Sequence, residues 1–107
     1  MTQIGALTES TYYILLVLLS PKHGYGIMQS VEELSGGRVH LAAGTLYGAL
    51  TSMVEKGWIR LLPWEEGSRK KEYRLTEQGR EVLLGEIGRL EELYHNGKKC
   101  LEETAHE

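Results

Sequence analysis

Three short helical segments, two alternating strand-like runs around a polar tip, and a long terminal stretch of heptad-like spacing predict a mainly α fold with a small β-hairpin. This is the order of a winged helix-turn-helix over residues 1–75, followed by a long C-terminal dimerisation helix over 76–107, in one compact unit. A chain of 107 residues is one domain by length. With 41% hydrophobic and 25% charged residues and 2 Pro, it has the composition of a soluble globular protein rather than a disordered, collagenous or membrane-spanning one. The longest apolar run, Tyr12 to Leu19, is far short of the roughly 20 residues a membrane helix needs. The N-terminus lacks the basic start of a secretory signal, so a cytoplasmic location is expected. Cys100, the single cysteine, has no internal disulfide partner, which fits a reducing compartment.

The first element, about Glu9 to Leu19, is apolar on every side and reads as a buried helix stopped by Ser20 and Pro21. His23-Gly24-Tyr25-Gly26 is a turn that opens a second helix, where Ile27, Met28, Val31 and Leu34 recur at helical spacing until Ser35-Gly36-Gly37 ends it. Arg38 to Leu41 alternates polar and apolar, the pattern of a short strand. A third helix runs from about Ala43 to Lys56, with Leu46, Leu50, Met53 and Val54 on one face and Gly57 placed to close it in the left-handed conformation. Trp58 to Trp64 and Arg69 to Leu75 read as strands joined at Glu65-Glu66-Gly67-Ser68, with Ile59, Leu61, Tyr73 and Leu75 on the packed side. Thr76 caps the fourth helix, and Glu77 in its first turn suits the helix dipole.

That helix carries Leu83, Ile87, Leu90, Tyr94 and Leu101 at a 4-3-4 spacing that continues through Gly97. One small domain offers such a seam nothing obvious to bury against, so a two-fold homodimer is expected. Gly85, Gly88 and Gly97 each weaken the helix by about 1 kcal/mol relative to Ala, and Asn96-Gly97 leaves two courses open, continuation or an end there.

The net charge of −3 conceals a segregation. Residues 1–55 hold two basic against four acidic side chains, residues 56–80 seven against four, and residues 81–107 three against seven, giving −2, +3 and −4. A basic middle between acidic ends can present a local positive face to phosphate, although such a cluster is more commonly a solvated charge run.

Several strings of the chain resemble the PadR family of bacterial transcriptional regulators, in its short branch with a single C-terminal helix. They are Leu7-Thr8-Glu9 leading into Tyr13-Ile14-Leu15-Leu16, His23-Gly24-Tyr25-Gly26-Ile27, Gly44-Thr45-Leu46-Tyr47-Gly48-Ala49-Leu50, Glu55-Lys56-Gly57, and Arg69-Lys70-Lys71-Glu72-Tyr73-Arg74-Leu75-Thr76-Glu77-Gln78-Gly79. The resemblance implies a winged-helix homodimer that binds a double-stranded, palindromic DNA operator, usually as a repressor, and in several members is released by an aromatic or amphipathic small molecule.

Carried onto this chain, the resemblance makes the third helix the recognition helix, with Leu46 packed and Thr45, Gly48, Thr51 and Ser52 projecting toward a major groove. Tyr47 is expected to lay its ring against the domain and its hydroxyl toward a phosphate, and Gly44 to let backbone N–H groups approach a phosphate closely. Read without the family, Tyr47 is an amphipathic ring in core packing. The exposed face holds no Arg, Asn or Gln, so discrimination would rest on thymine methyl contacts, water and duplex shape. Arg69, Lys70 and Lys71 are expected to give sequence-independent phosphate or minor-groove contacts, and Lys22, Tyr25 and Gln29 lesser backbone contacts.

Two departures from the family pattern stand out. Ala42-Ala43 occupies the place where many members carry Ser-Pro, so the recognition helix lacks a cap worth about 1 kcal/mol. Leu90 stands where drug-binding members carry a Trp, which argues against flat aromatic capture while leaving an apolar effector pocket near Tyr12, Leu90 and Tyr94. Among the remaining candidates, His23 reads as a turn residue bonded to backbone and Trp58 as core, whereas Trp64 near the wing tip resists a simple packing role. No metal spacing, phosphate loop or nucleophile motif is present, so neither an enzyme nor a cofactor or metal is expected. A winged-helix module that docks protein rather than DNA is the competing reading.

Overall fold

The structure is a computed structural model that describes residues 5–64, 67 and 70–105. It comprises α1 (Glu9–Val17), β1 (Lys22–His23), α2 (Gly24–Leu34), α3 (Ala43–Glu55), β2 (Ile59–Leu61), β3 (Glu72–Leu75) and α4 (Glu77–Ala105). It is a winged helix with a long C-terminal helix. α1 begins at Thr8, whose hydroxyl oxygen accepts from the Thr11 N–H at 3.2 Å, and Glu9 lies in its first turn. α2 begins at His23, whose Nδ1 accepts from the Gly26 N–H at 3.2 Å, the turn role expected for that histidine.

The core is the shared interior of four helices and the sheet. Ile14, Leu15 and Leu18 meet Ile27 and Val31 of α2, Leu46, Leu50 and Met53 of α3, Ile59 of β2, and Val82 and Leu83 of α4. Each such side chain contributes about 1.5–3 kcal/mol when fully buried, so this interior dominates the stability of the fold.

The sheet departs from the expected hairpin. It has three antiparallel strands in the order β1-β3-β2, with Lys22 opposite Tyr73 and Ile59 opposite Leu75. The extra strand comes from the two residues before α2 and not from Arg38 to Leu41, which takes no regular form. There the chain is held by the Ser35 hydroxyl, which accepts from the Val39 N–H at 2.9 Å, so a local turn replaces a ladder. β2 and β3 are also shorter than the alternation suggested, with a further ladder bond from the Leu62 N–H to the Glu72 carbonyl at 2.8 Å. Pro63 follows on this edge strand, at a position whose N–H would face away from β3. Leu61 and Val54, expected on packed faces, are exposed, because among the described residues no element covers those ends of β2 and α3.

Gly57, with φ of 78°, closes α3 in the left-handed region as expected. Thr76 then joins three elements. Its hydroxyl donates to the Gly57 carbonyl at 2.6 Å and accepts from the Gly79 N–H at 3.0 Å, while its own N–H donates to the Trp58 carbonyl at 3.0 Å. A Cβ on Gly79 would run into that same Trp58 carbonyl, so α4 can lie this close to the sheet only with glycine there. α4 continues through Gly97 to Ala105, deciding the course left open at Asn96-Gly97, and its 29 residues span about 43 Å. From Leu90 to Ala105 every residue is exposed.

Candidate nucleic-acid interface

The exposed side of α3 presents Gly44, Thr45, Gly48 and Thr51 at helical spacing, with Ser52 half-buried at its margin. A Cβ on Gly44 or Gly48 would meet nothing, so this strip is open and shallow. Thr51 is partly committed to its own helix, donating to the Tyr47 carbonyl at 3.0 Å. Ala42 at the N-cap offers no side-chain hydrogen bond, which leaves the first N–H groups of α3 to solvent or to a ligand.

Tyr47 is half-exposed and leaves the strip to lie over the start of α2, where its hydroxyl and ring fill the space a Cβ on Gly24 would occupy. It also faces Tyr73 of β3, whose phenol is pushed above its ordinary value by burial and then by Tyr47. Lys22 is the strand partner of Tyr73. Tyr47 thus stands where α3, the α2 start and β3 converge. Tyr25 and Gln29 extend this surface along α2 as an exposed pair, the Gln29 amide donating to the Tyr25 hydroxyl at 3.3 Å. Lys22 is half-buried and its ammonium donates to the Ser20 hydroxyl at 2.9 Å, so it reaches outward less freely than its charge suggests.

On the approach to β3, Lys70 and Lys71 are exposed, and the Lys71 ammonium sits 4.7 Å from the centroid of the half-exposed Trp64 ring. Arg69, expected beside them, lies outside the described residues, as do Glu65, Glu66 and Ser68 of the expected tip.

The residues assigned to the seam divide. Leu83 is buried in the protomer's own core, a correction to its place in the seam, because its face of α4 enters the core that α4 shares with α1. Ile87, Leu90, Tyr94 and Leu101 are all exposed, joined by Leu84 and Leu93. Beside them a cavity of about 280 Å³ is lined by Leu7, Tyr12, Tyr13, Glu86, Arg89 and Leu90, with the Glu9–Arg38 ion pair at its rim. It contains two of the three residues expected around an effector, whereas Tyr94 stands outside it.

Glu86 was not singled out in the sequence. It is buried, accepts from the Arg89 guanidinium at 2.6 and 2.8 Å, and accepts from the Leu7 N–H at 3.2 Å. The Arg89 hydrogen bonds hold its carboxyl below the ordinary value against the opposing effect of burial, and the Leu7 N–H assists them. Its one sequence signal was its place three residues after Leu83 and three before Arg89, on the edge of the apolar stripe. The Gly24–Tyr47 contact has no such signal, since it joins two helices. Among the described residues no group of His, Cys, Asp and Glu could hold a metal ion, and no helix is long and apolar enough to cross a membrane.

Comparison with known proteins places this arrangement. The model of the transcriptional regulator PadR-like family matches residues 14–84. A transcriptional regulator from Clostridium thermocellum has a similar structure, with a TM-score of 0.73 at 23% identity over 84% of this chain and 87% of that one. PadR of Bacillus subtilis, solved in complex with operator DNA, gives a TM-score of 0.63 at 26% identity, covering 72% of this chain and 45% of that one. An uncharacterized 37.1 kDa protein in transposon TN4556 of Streptomyces fradiae is 41% identical over 78 residues, which is 71% of this chain and 21% of that protein. The chain therefore spans about a fifth of the length of that relative.

Proposed function

Because the chain belongs to the PadR-like family of transcriptional regulators, we propose that it is a sequence-specific DNA-binding regulator acting as a homodimer on a palindromic operator. Repression relieved by a small apolar effector is the form this regulation takes. The reading divides the chain into a DNA-binding part, residues 1–75, and a dimerising part, residues 76–107, and locates it in the cytoplasm. The observation that carries it is the convergence at Tyr47. There the open strip of α3 meets the start of α2 and the strand into which the cationic Lys70-Lys71 leads.

In this reading Thr45, Gly48, Thr51 and Ser52 face the major groove, and Gly44 lets the uncapped backbone of α3 approach a phosphate. The Tyr47 hydroxyl serves a second phosphate, with Lys22, Tyr25 and Gln29 supplying weaker backbone contacts. Arg69, Lys70 and Lys71 supply affinity without sequence information. A strip of small side chains suits readout by methyl contact, water and duplex shape better than by bidentate hydrogen bonds. Ile87, Leu90, Tyr94 and Leu101 join two copies, and the cavity at Tyr12 and Leu90 receives the effector.

Binding to a duplex carrying an inverted repeat from upstream of its own coding region, measured against an unrelated duplex at two salt concentrations, tests the reading. Preference for the repeat with a steep loss of affinity in salt is expected. Equal binding to both duplexes removes the specificity. No binding at low salt favours a protein-docking module, the reading that a strip without Arg, Asn or Gln also suits. Replacing Arg69, Lys70 and Lys71 together by Ala should weaken both duplexes alike and reduce the salt slope by about 0.9 for each phosphate no longer neutralised.

A further inference from the structure

Trp64 has no part in the core, no place on α3 and no role in the proposed DNA contacts, yet the fold gives it a defined position. Beyond the Leu61–Tyr73 pair, the two arms of the wing are joined by the bond from the Leu62 N–H to the Glu72 carbonyl at 2.8 Å. Trp64 and Lys71 lie just beyond that bond on opposite arms of the wing. Trp64 is 46% exposed, and the Lys71 ammonium lies 4.7 Å from the centroid of its ring. Lysine is a flexible point charge with large rotamer freedom, so a wing lysine must be ordered before it holds a phosphate. A Trp face is the aromatic surface that attracts a cation most strongly. An ammonium resting on it keeps donors directed away from the ring, since only one side of the group meets the π-face.

We propose that Trp64 is a positioning residue for DNA binding, holding the Lys71 ammonium on its ring so that the cation is presented, already ordered, to a backbone phosphate. The inference rests on the DNA-binding reading and deepens it at the wing. It concerns a sequence-independent contact, so its effect is on affinity and salt dependence rather than on the choice of operator.

The test uses the full chain and a mixed-sequence DNA duplex titrated across a salt series. The variants are Trp64→Tyr, Trp64→Leu, Lys71→Ala and the double Trp64→Leu with Lys71→Ala. Lys71→Ala should reduce the salt slope by about 0.9. Trp64→Leu retains apolar volume but removes the π-face, and should weaken binding roughly two- to fivefold. Trp64→Tyr, which keeps a π-face, should rescue most of that affinity. The double variant should bind no worse than Lys71→Ala alone, because the ring acts through that lysine. Wild-type affinity in Trp64→Leu, a weakening in Trp64→Tyr equal to that in Trp64→Leu, or effects that multiply in the double variant would each overturn the proposal while leaving the DNA-binding reading intact. Absence of duplex binding by the wild-type chain overturns both.

Discussion

The two halves of α4 are one continuous helix with opposite surroundings. Its first half drives Gly79, Val82, Leu83 and Glu86 into the protomer, with a glycine at the closest approach and a carboxylate bonded across to Leu7. From Leu90, at the edge of the cavity, onward it leaves Leu93, Tyr94 and Leu101 in solvent. A helix of about 15 residues is marginal in water by itself, and glycine within it makes it more so. The contrast teaches that tertiary packing supports the first half, while the second depends on its continuity with the first and, in the proposed dimer, on a second copy.

The largest expected effect comes from breaking the exposed half. In the proposed dimer, Leu90→Asp would put a charge in place of an apolar seam residue and lose at least about 2–5 kcal/mol per copy, so sedimentation should show half the wild-type mass and operator affinity should collapse. A dimer with undiminished affinity would remove the seam from the account. Next comes the close approach in the packed half. Gly79→Val forces a side chain against the Trp58 carbonyl and should lower stability in urea by about 3 kcal/mol. An unchanged midpoint would mean that α4 can shift off the sheet at no cost.

Glu86→Ala leaves the Leu7 N–H and the Arg89 guanidinium without their acceptor and should cost about 1–3 kcal/mol. The pH dependence has a definite sign. The carboxyl is held below its ordinary 4.5, so its stabilisation is full above that value and is lost as pH falls through the lowered folded value. Thermal midpoints of Glu86→Gln should therefore fall less steeply than wild type below the ordinary carboxylate range. Identical slopes would mean that the Arg89 pairing adds nothing. The smallest effect sharpens the comparison from the other side. A Cβ on Gly88 meets nothing, so Gly88→Ala should stabilise the helix by up to about 1 kcal/mol, the opposite sign to Gly79 on the same element. A drop in stability there would reveal a close approach by a second copy.

Much of the fold was legible from neighbouring residues. The periodicity of α2 and α3, the glycine that closes α3, the histidine that opens α2 and the Thr76 cap all arise within a turn or two of chain, where spacing and capping chemistry act directly. The two-residue β1 carries no such pattern. It exists because β3 has a free edge beside it, and the alternation at Arg38 to Leu41 found no edge to join. Leu61 and Val54 lay on the right periodic faces, but no element among the described residues covers them. In the candidate site, the small polar strip of α3 could be read from helical spacing. The placing of Tyr47 over Gly24 could not, because it joins positions far apart in the chain.

Local chemistry along the chain was enough to determine the helices, their caps, the long heptad-like run and the concentration of positive charge near the wing, since each depends on residues within about a turn of one another. Only the assembled molecule decided which apolar side chains are covered, that Leu83 faces inward while Leu90 faces out, and that Glu86 ties α4 to the segment before α1. Burial is a property of surfaces brought together by the whole fold, and a side chain cannot specify by its own identity which surface will meet it.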